Sequence, residues 1–364
     1  MTTPFCMVPF TRCFVTPDGK FRNCCNTRPT ITYNDSFHSW WFNNQNFADF
    51  KNTLLSNSFP KECKSCELSE ITSGESFRTA INDQHKTYSR YPKDWCIMFG
   101  NTCNLSCWTC SENFSSQIEA QKRSLGLLSA DFVSPNKQFA ERWPMIKQAV
   151  LESFKHTDIV CLNLLGGEPM YNTLLLDFLT ELVNLDLAKR TRLEITTNGT
   201  VINYSVHNLI AKDKWNYVSV IISLDSVGKK VEWLRYGSKW NNIVKNAAKH
   251  KSNVNYLEFA CTVSILNVLD LPDLYDFCTA INTKITFNIL SEPYYMSLTS
   301  WDGKKPNVDY EQYNKRELTE YLKLIGKSPV AGSKDKLLNY INTMSQVRQP
   351  LESFNTELHD FLTS

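Results

Sequence analysis

The stretch Trp95-Cys-Ile-Met-Phe-Gly-Asn-Thr-Cys103-Asn-Leu-Ser-Cys107-Trp-Thr-Cys110 decides how the rest of the chain is read. It begins as a short apolar run, Trp95–Asn101, of the kind that forms a buried strand. It ends in three cysteines spaced C-x3-C-x2-C, where such a strand gives way to a loop. Further apolar runs follow at Asp158–Leu165, Arg192–Thr197, Tyr217–Leu224, Asn255–Ser264 and Lys284–Leu290. Amphipathic stretches between them predict helices over Ser111–Gly126, Asn136–His156, Thr173–Ala188, Ser205–Lys212, Trp240–His250 and Leu271–Ile281. This alternation predicts an α/β fold of parallel βαβ units. Six strands predict a partial (β/α)6 TIM-like barrel rather than the full eight-stranded form. Sites in such sheets are built on loops at the C-terminal ends of strands, where the three cysteines fall.

The flanks read differently. Residues 1–70 are rich in Cys, Asn, Pro and Phe, with helical periodicity only at Trp40–Ser56. Their aliphatic content is too low for a core, and small Cys-dense units commonly fold around a metal. Residues 71–94 are polar and read as a linker, with a boundary near Ser89–Lys93. The expected layout is a Cys-rich domain and linker over 1–90, a barrel over 91–290 and a helical C-terminal extension over 291–364. Helices are predicted in that extension at Glu311–Ile325 and Asp335–Val347.

Lys and Arg number 39 against 37 Asp and Glu, so no basic footprint of a dedicated nucleic-acid binder is present. The chain starts without a charged segment leading into an apolar one, and no apolar run approaches the roughly 18 residues of a membrane span. A cytoplasmic protein without membrane association is expected. Thirteen cysteines in such a chain point to metal binding or redox chemistry rather than a disulfide framework. Nine of the 13 fall in two groups, Cys6 to Cys66 and Cys103 to Cys110, which suggests two sites.

Three thiolates on one loop can hold three irons of a cubane and leave the fourth iron free of protein ligands. Zinc is the chemical alternative, but structural zinc takes four N or S ligands, and no His lies near in sequence. Three unliganded core cysteines are the remaining alternative.

The motif resembles the signature of the radical S-adenosylmethionine superfamily, and later landmarks keep that family's order over Trp95–Leu290. Leu165-Gly166-Gly167-Glu168-Pro169 resembles the GGEP turn, which in the family receives the methionine amino group of the cofactor. Glycines permit close backbone approach and a carboxylate suits an ammonium. Thr196-Thr197-Asn198-Gly199-Thr200 resembles the TNG turn, and Ser223-Leu224-Asp225 the SLD segment. The resemblance implies that Asn198, Ser223 and Asp225 lie near the cofactor's ribose and carboxylate, although polar groups at strand ends also serve as helix caps. Arg235 is a candidate clamp for the methionine carboxylate, with a solvated surface arginine as the alternative. Cys261–Asn267 resembles the fifth strand and its exit, beside the adenine. The family places an aromatic immediately before the third cysteine; here Thr109 stands there and Trp108 comes one residue earlier.

The N-terminal cysteines resemble the twitch and SPASM auxiliary-cluster domains. Cys6, Gly19 and Cys24 fit C-x9–15-G-x4-C, and Cys63-Lys-Ser-Cys66 supplies a CxxC. The resemblance implies a second [4Fe–4S] cluster on Cys6, Cys24, Cys63 and Cys66, with Cys25 able to replace Cys24, Cys13 a spare thiol, and a four-cysteine zinc site as the alternative. In the family this domain usually comes last; here it comes first.

The implied activity is reductive cleavage of S-adenosylmethionine to a 5′-deoxyadenosyl radical that abstracts hydrogen from a substrate. A peptide or small molecule is the expected substrate, and a flavodoxin or ferredoxin the expected reductant. Two other readings stay open: a nucleotide or nucleic-acid modifier, and an Fe–S electron-transfer or binding protein without turnover.

Overall fold

Strands form at each of the apolar runs read from the sequence. In this computed structural model, which describes residues 4–27, 32–64, 66–67, 70, 75–87, 89–157, 160–306 and 316–364, three short strands precede them. In chain order the strands are β1 (Arg12–Val15), β2 (Phe21–Arg22), β3 (Thr32–Tyr33), β4 (Asp94–Phe99), β5 (Val160–Gly166), β6 (Thr191–Thr197), β7 (Tyr217–Ser223), β8 (Tyr256–Val263) and β9 (Lys284–Ile289). The expected start of β5 at Asp158 and the first residues of the expected helix at Glu311 lie outside the described residues.

The chain divides into two units: Met1–Thr102 with Asp131–Ile195 and Asn208–Val218, and Cys103–Ala130 with Thr196–His207 and Ser219–Ser364. In the first, the strand order is β3-β2-β1-β4-β5-β6. β1, β2 and β3 are antiparallel neighbours, whereas β1, β4, β5 and β6 run parallel. The Cys-rich segment thus adds its own strands to this sheet, in a register that sets Arg12 opposite Asp94 and Val15 opposite Ile97. One face of β4, carrying Trp95, Ile97 and Phe99, is buried. Phe99 packs on Phe139 and Trp143 of the helix Pro135–His156. That helix buries a stripe at Phe139, Trp143, Ile146, Val150 and Phe154, the i, i+4, i+7 spacing of an amphipathic helix. The opposite face is polar. Asp94 accepts from Arg12 and His85 at 2.8 Å each, and Asn163 donates to Glu194.

Two features of the N-terminal region depart from the sequence reading. Its core is aromatic rather than aliphatic: Trp40 stacks between Phe21 and Phe47, at 4.9 and 4.8 Å between ring centres, and Phe37 packs on Trp95. The stretch read as a linker also holds a helix, Phe77–Gln84, opened by a capping box between Ser76 and Thr79. Its buried residues are Arg78 and Ile81, and an arginine at a core position reads in sequence as a solvent-facing one. Residues 71–74 and 88 of that stretch lie outside the described residues.

In the second unit β7, β8 and β9 are parallel neighbours. β8 alternates buried and half-buried residues along its length, as a strand with one inward face must, and the buried set includes Cys261. The tail carries helices Arg316–Leu324 and Ser333–Met344, and a third, Thr356–Thr363, capped by Asn355. Among the described residues no helix is long and apolar enough to cross a membrane.

The same unit holds a buried histidine with an expected pH signature. His250, on the helix Trp240–Asn253, is fully buried, and neither ring nitrogen finds a hydrogen-bond partner among the described residues. Burial, with His207 alongside, pushes its pKa down to about 4. The unfolded chain takes up this proton near pH 6.5 and the folded chain only near 4, so stability falls as pH drops across that window. The loss is about 3 kcal/mol when complete. Urea midpoints at pH 7 and pH 4.5 should differ much less in His250→Leu than in the unaltered protein.

Candidate metal centre

The cysteine loop belongs to the second unit and is held from several directions. Ser106 N donates to Tyr236 O at 2.9 Å and Trp108 N to Leu234 O at 3.0 Å, so the loop is pinned on the backbone either side of Arg235. Ser116 Oγ accepts from Cys103 N and donates to Cys103 O. Ser115 caps the following helix, Ser116–Ser124, and donates its hydroxyl to Leu105 O. Two backbone and side-chain N–H groups already approach sulfur: Leu105 N lies 3.4 Å and Asn198 Nδ2 3.9 Å from Cys103 Sγ.

Cys110 lies close enough to Cys103 and Cys107 to sense both. Burial pushes the Cys110 thiol well above its ordinary pKa, with the charges of Cys107 and Cys103 adding to the rise. Burial also raises Cys107, against the pull of Arg235 and Arg348. Buried thiols at such proximity are stable as neutral groups or as metal-bound thiolates. Among the described residues no three His, Cys, Asp or Glu side chains converge on a single metal ion. A cubane instead binds each thiolate to a separate iron, so the donor set of Cys103, Cys107 and Cys110 fits a three-thiolate cluster.

Around this loop, Arg235 and Asp225 form a buried ion pair at 2.8 Å. Asp225 Oδ1 also accepts from Thr262 N at 2.9 Å, and Asp225 O from Asn267 Nδ2 at 2.9 Å. Asn267 in turn accepts from Ser264 N at 2.8 Å. The exit of β8 is therefore tied to the end of β7, where Ser223 lies opposite Ala260. Burial works against the charge of the Arg235 guanidinium, but the neighbouring Cys107 and the carboxylate of Asp225 outweigh it and raise its pKa. Asn198 ties down the cysteine loop: Nδ2 donates to Asn104 Oδ1 at 2.8 Å, and Oδ1 accepts from Thr200 N at 2.9 Å.

The glycine turn belongs to the first unit. Gly167 N donates to Gly100 O at 3.2 Å, and Glu168 N to Thr102 O at 2.7 Å. Both glycines are required. Gly166 has φ +137°, and a Cβ on Gly167 would sit 2.2 Å from Thr102 O. Glu168 is buried and caps the short turn Pro169–Tyr171, accepting from Met170 N at 3.0 Å. Asn136 Oδ1 receives Asn101 N and Thr102 N at 2.7 and 3.1 Å. The turn is thus clamped to Gly100 and Thr102, just before Cys103 in the chain.

In the N-terminal region Cys6, Cys24, Cys63 and Cys66 line one small pocket with Val8, Asn26 and Arg78. Burial raises Cys6 and pushes Cys63 up to about 12, and the charges of the other cysteines in the cavity contribute to both. Cys25 does not line it. A hydrogen bond from Cys24 lowers the Cys25 pKa, and its charged neighbours are Cys96, Arg12 and Arg22. Cys13 is fully buried on β1. Gly19, in the left-handed region at φ +77°, makes the turn between β1 and β2. Arg78, paired with Glu70, and Asn82 both donate to Phe5 O, which anchors the Cys6 segment.

Several residues near the triad carried no signal in sequence. Asn104 sits between two cysteines and looks like a spacer. Arg348 lies in an irregular polar tail, yet it is buried, donates through Nε and Nη2 to Gln121 Oε1 at 3.0 and 2.8 Å, and stacks 4.4 Å from the centre of the Trp108 ring. Trp108 itself stacks on Trp233 at 4.7 Å.

Residues 97–277 match the sequence profile of the Radical SAM superfamily. The chain therefore carries a radical SAM domain over these residues. No curated protein matches it. Among solved structures it is similar to Streptococcus suis SuiB, at 18% identity and TM-score 0.41, over 79% of this chain and 57% of that one. It is similar to the same protein bound to the precursor peptide SuiA, at 17% identity and TM-score 0.40, over 74% of this chain and 49% of that one. It is also similar to anSMEcpe with bound AdoMet, at 15% identity and TM-score 0.40, over 67% of this chain and 59% of that one. The chain thus spans between 49% and 59% of the length of these structures.

Proposed function

We propose that the chain holds a [4Fe–4S] cluster on Cys103, Cys107 and Cys110 and cleaves S-adenosylmethionine reductively. The observation that carries this reading is the loop itself: three free cysteines on one loop, with Cys107 buried and the backbone of Ser106 and Trp108 pinned either side of Arg235. When bound, such a cluster supplies one electron to the sulfonium of S-adenosylmethionine, giving methionine and a 5′-deoxyadenosyl radical that takes a hydrogen atom from substrate. The chain's own part is binding and orientation. Gly166, Gly167, Glu168 and Pro169 form the turn assigned to the methionine amino group. Asn198, Ser223, Asp225 and Arg235 are assigned to the ribose and carboxylate. Because Arg235 and Asp225 are already paired, their role includes fixing the end of β7 for the cofactor. A peptide or small metabolite is the proposed substrate, a flavodoxin or ferredoxin the proposed reductant, and the cytoplasm the proposed location.

The cavity lined by Cys6, Cys24, Cys63 and Cys66 supports a second, auxiliary [4Fe–4S] cluster in a twitch-like N-terminal region, with Cys24 rather than Cys25 as ligand. Four protein ligands would leave no open iron, so this cluster relays electrons or holds the fold.

Anaerobic reconstitution tests both parts. About eight irons per chain are expected, with a reduced-state electron paramagnetic resonance (EPR) spectrum that changes on addition of S-adenosylmethionine. The double variant Cys63→Ala/Cys66→Ala should retain about four irons and the cofactor-sensitive signal. A spectrum indifferent to S-adenosylmethionine would overturn the first assignment. Full iron retention in the double variant would overturn the second.

A further inference from the structure

The residues gathered on the cysteine loop leave an imbalance of donors. Among the described residues, Trp108 Nε1, Trp233 Nε1, Arg235 Nε and Arg348 Nη1 are buried N–H groups without a hydrogen-bond acceptor. They are neighbours in the second unit. Trp108 stacks on Trp233, Arg348 lies over Trp108, and Arg235 lies between the two backbone carbonyls that hold the loop. An unmade hydrogen bond at a buried polar atom costs about 1–3 kcal/mol, and here all four groups are donors. Their shared complement is an electron-rich acceptor. Thiolate and sulfide sulfurs of an iron–sulfur cluster are such acceptors, and hydrogen bonds and net charge around them set cluster potential.

Arg348 is the member that the C-terminal tail brings. Its fork grips Gln121 Oε1, and Gln121 Nε2 donates to Ser106 Oγ at 3.0 Å, inside the cysteine loop. Gln349 N donates to Tyr236 OH at 3.3 Å, and Tyr236 O receives Ser106 N. The tail is thereby fastened to the loop at two points. A guanidinium fixed in this way places a permanent positive charge beside buried thiolates, where low dielectric magnifies it.

Resting on the cluster assignment above, we propose that Arg348 is a positioning residue of the triad cluster. It fixes the loop through Gln121 and Trp108, and its charge favours the reduced cluster. The C-terminal tail is then part of the electron-accepting site, since reduction adds a negative charge that this cation stabilises.

The test is a potentiometric titration of the holoenzyme, following the EPR signal that responds to S-adenosylmethionine. In Arg348→Gln the ratio of reduced to oxidised cluster at a fixed potential should fall about tenfold, a midpoint lower by about 59 mV for this one-electron couple. Arg348→Lys keeps the charge but loses the fork, so its midpoint should stay near that of the unaltered protein while its thermal midpoint drops. An Arg348→Gln enzyme with full iron and an unchanged midpoint would overturn the proposal. If Arg348→Gln does not fold, Arg348→Lys decides: a midpoint near the unaltered value supports the charge role, and a tenfold-lower ratio contradicts it. Absence of iron from the unaltered protein would instead contradict the cluster assignment itself.

Discussion

Replacing Cys107 with alanine is expected to reduce S-adenosylmethionine cleavage to the level of a protein-free control while leaving the protein folded. Cys107 is the middle cysteine of the loop and a proposed ligand, buried between Ser106 and Trp108, whose backbone amides hold the loop to Tyr236 and Leu234. Those hydrogen bonds do not involve its side chain, so the loop path survives the substitution. Losing one sulfur from a packed site costs about 1–2 kcal/mol of stability, a small shift in thermal midpoint. Two thiolates cannot hold the cubane with a single open iron, so the chemical loss is complete. Circular dichroism, iron content and product assay on one preparation separate these effects. Cleavage at the unaltered rate in Cys107→Ala would remove the triad from the reaction.

A second large effect is expected at Gly167. An added methyl would sit 2.2 Å from Thr102 O and 2.6 Å from Asn101 C. Both are backbone atoms, so no rotamer change can relieve the clash, and overpacking of this kind costs about 3 kcal/mol or more. Either the Gly166–Glu168 turn or the Asn101–Thr102 segment must move. The first displaces the proposed seat of the methionine amino group, and the second pulls on Cys103 through its own peptide bond. Displacements near 1 Å at a reacting site can cost about 100-fold in rate. Gly167→Ala should therefore lose about 100-fold or more in 5′-deoxyadenosine formation. Gly228 is the fitting control: at φ +60° it has open space where its Cβ would stand, so Gly228→Ala should cost only about 1–2 kcal/mol in stability and little activity.

Much of this arrangement was legible in the chain. The strand runs and the placement of cysteines and glycines at strand ends are short-range patterns, and period and spacing reveal them. What was not legible depends on residues meeting across the chain. Asn198 reads as a cofactor contact, yet its amide is occupied with Asn104, 94 positions away. Arg235 reads as a solvated arginine or a carboxylate clamp, and its pairing with Asp225 across the helix Gly228–Leu234 gives no signal in the sequence. Arg348 has no pattern around it at all, because one arginine in a polar tail looks the same whether it is solvated or stacked on Trp108. The linker reading of residues 71–94 failed for a related reason, since Arg78 is buried through its pairing with Glu70. The aromatic packing of Phe21, Phe37, Trp40 and Phe47 leaves no trace in aliphatic content, although it builds the core of this region.

The central claim is that the loop of Cys103, Cys107 and Cys110 carries a cluster that cleaves S-adenosylmethionine. The most direct measurement is 5′-deoxyadenosine formation by the anaerobically reconstituted chain with dithionite and S-adenosylmethionine, in the absence of substrate. Slow, dithionite-dependent release of 5′-deoxyadenosine with matching methionine, lost in Cys107→Ala, is the predicted result. A protein reconstituted with iron that forms none would contradict it.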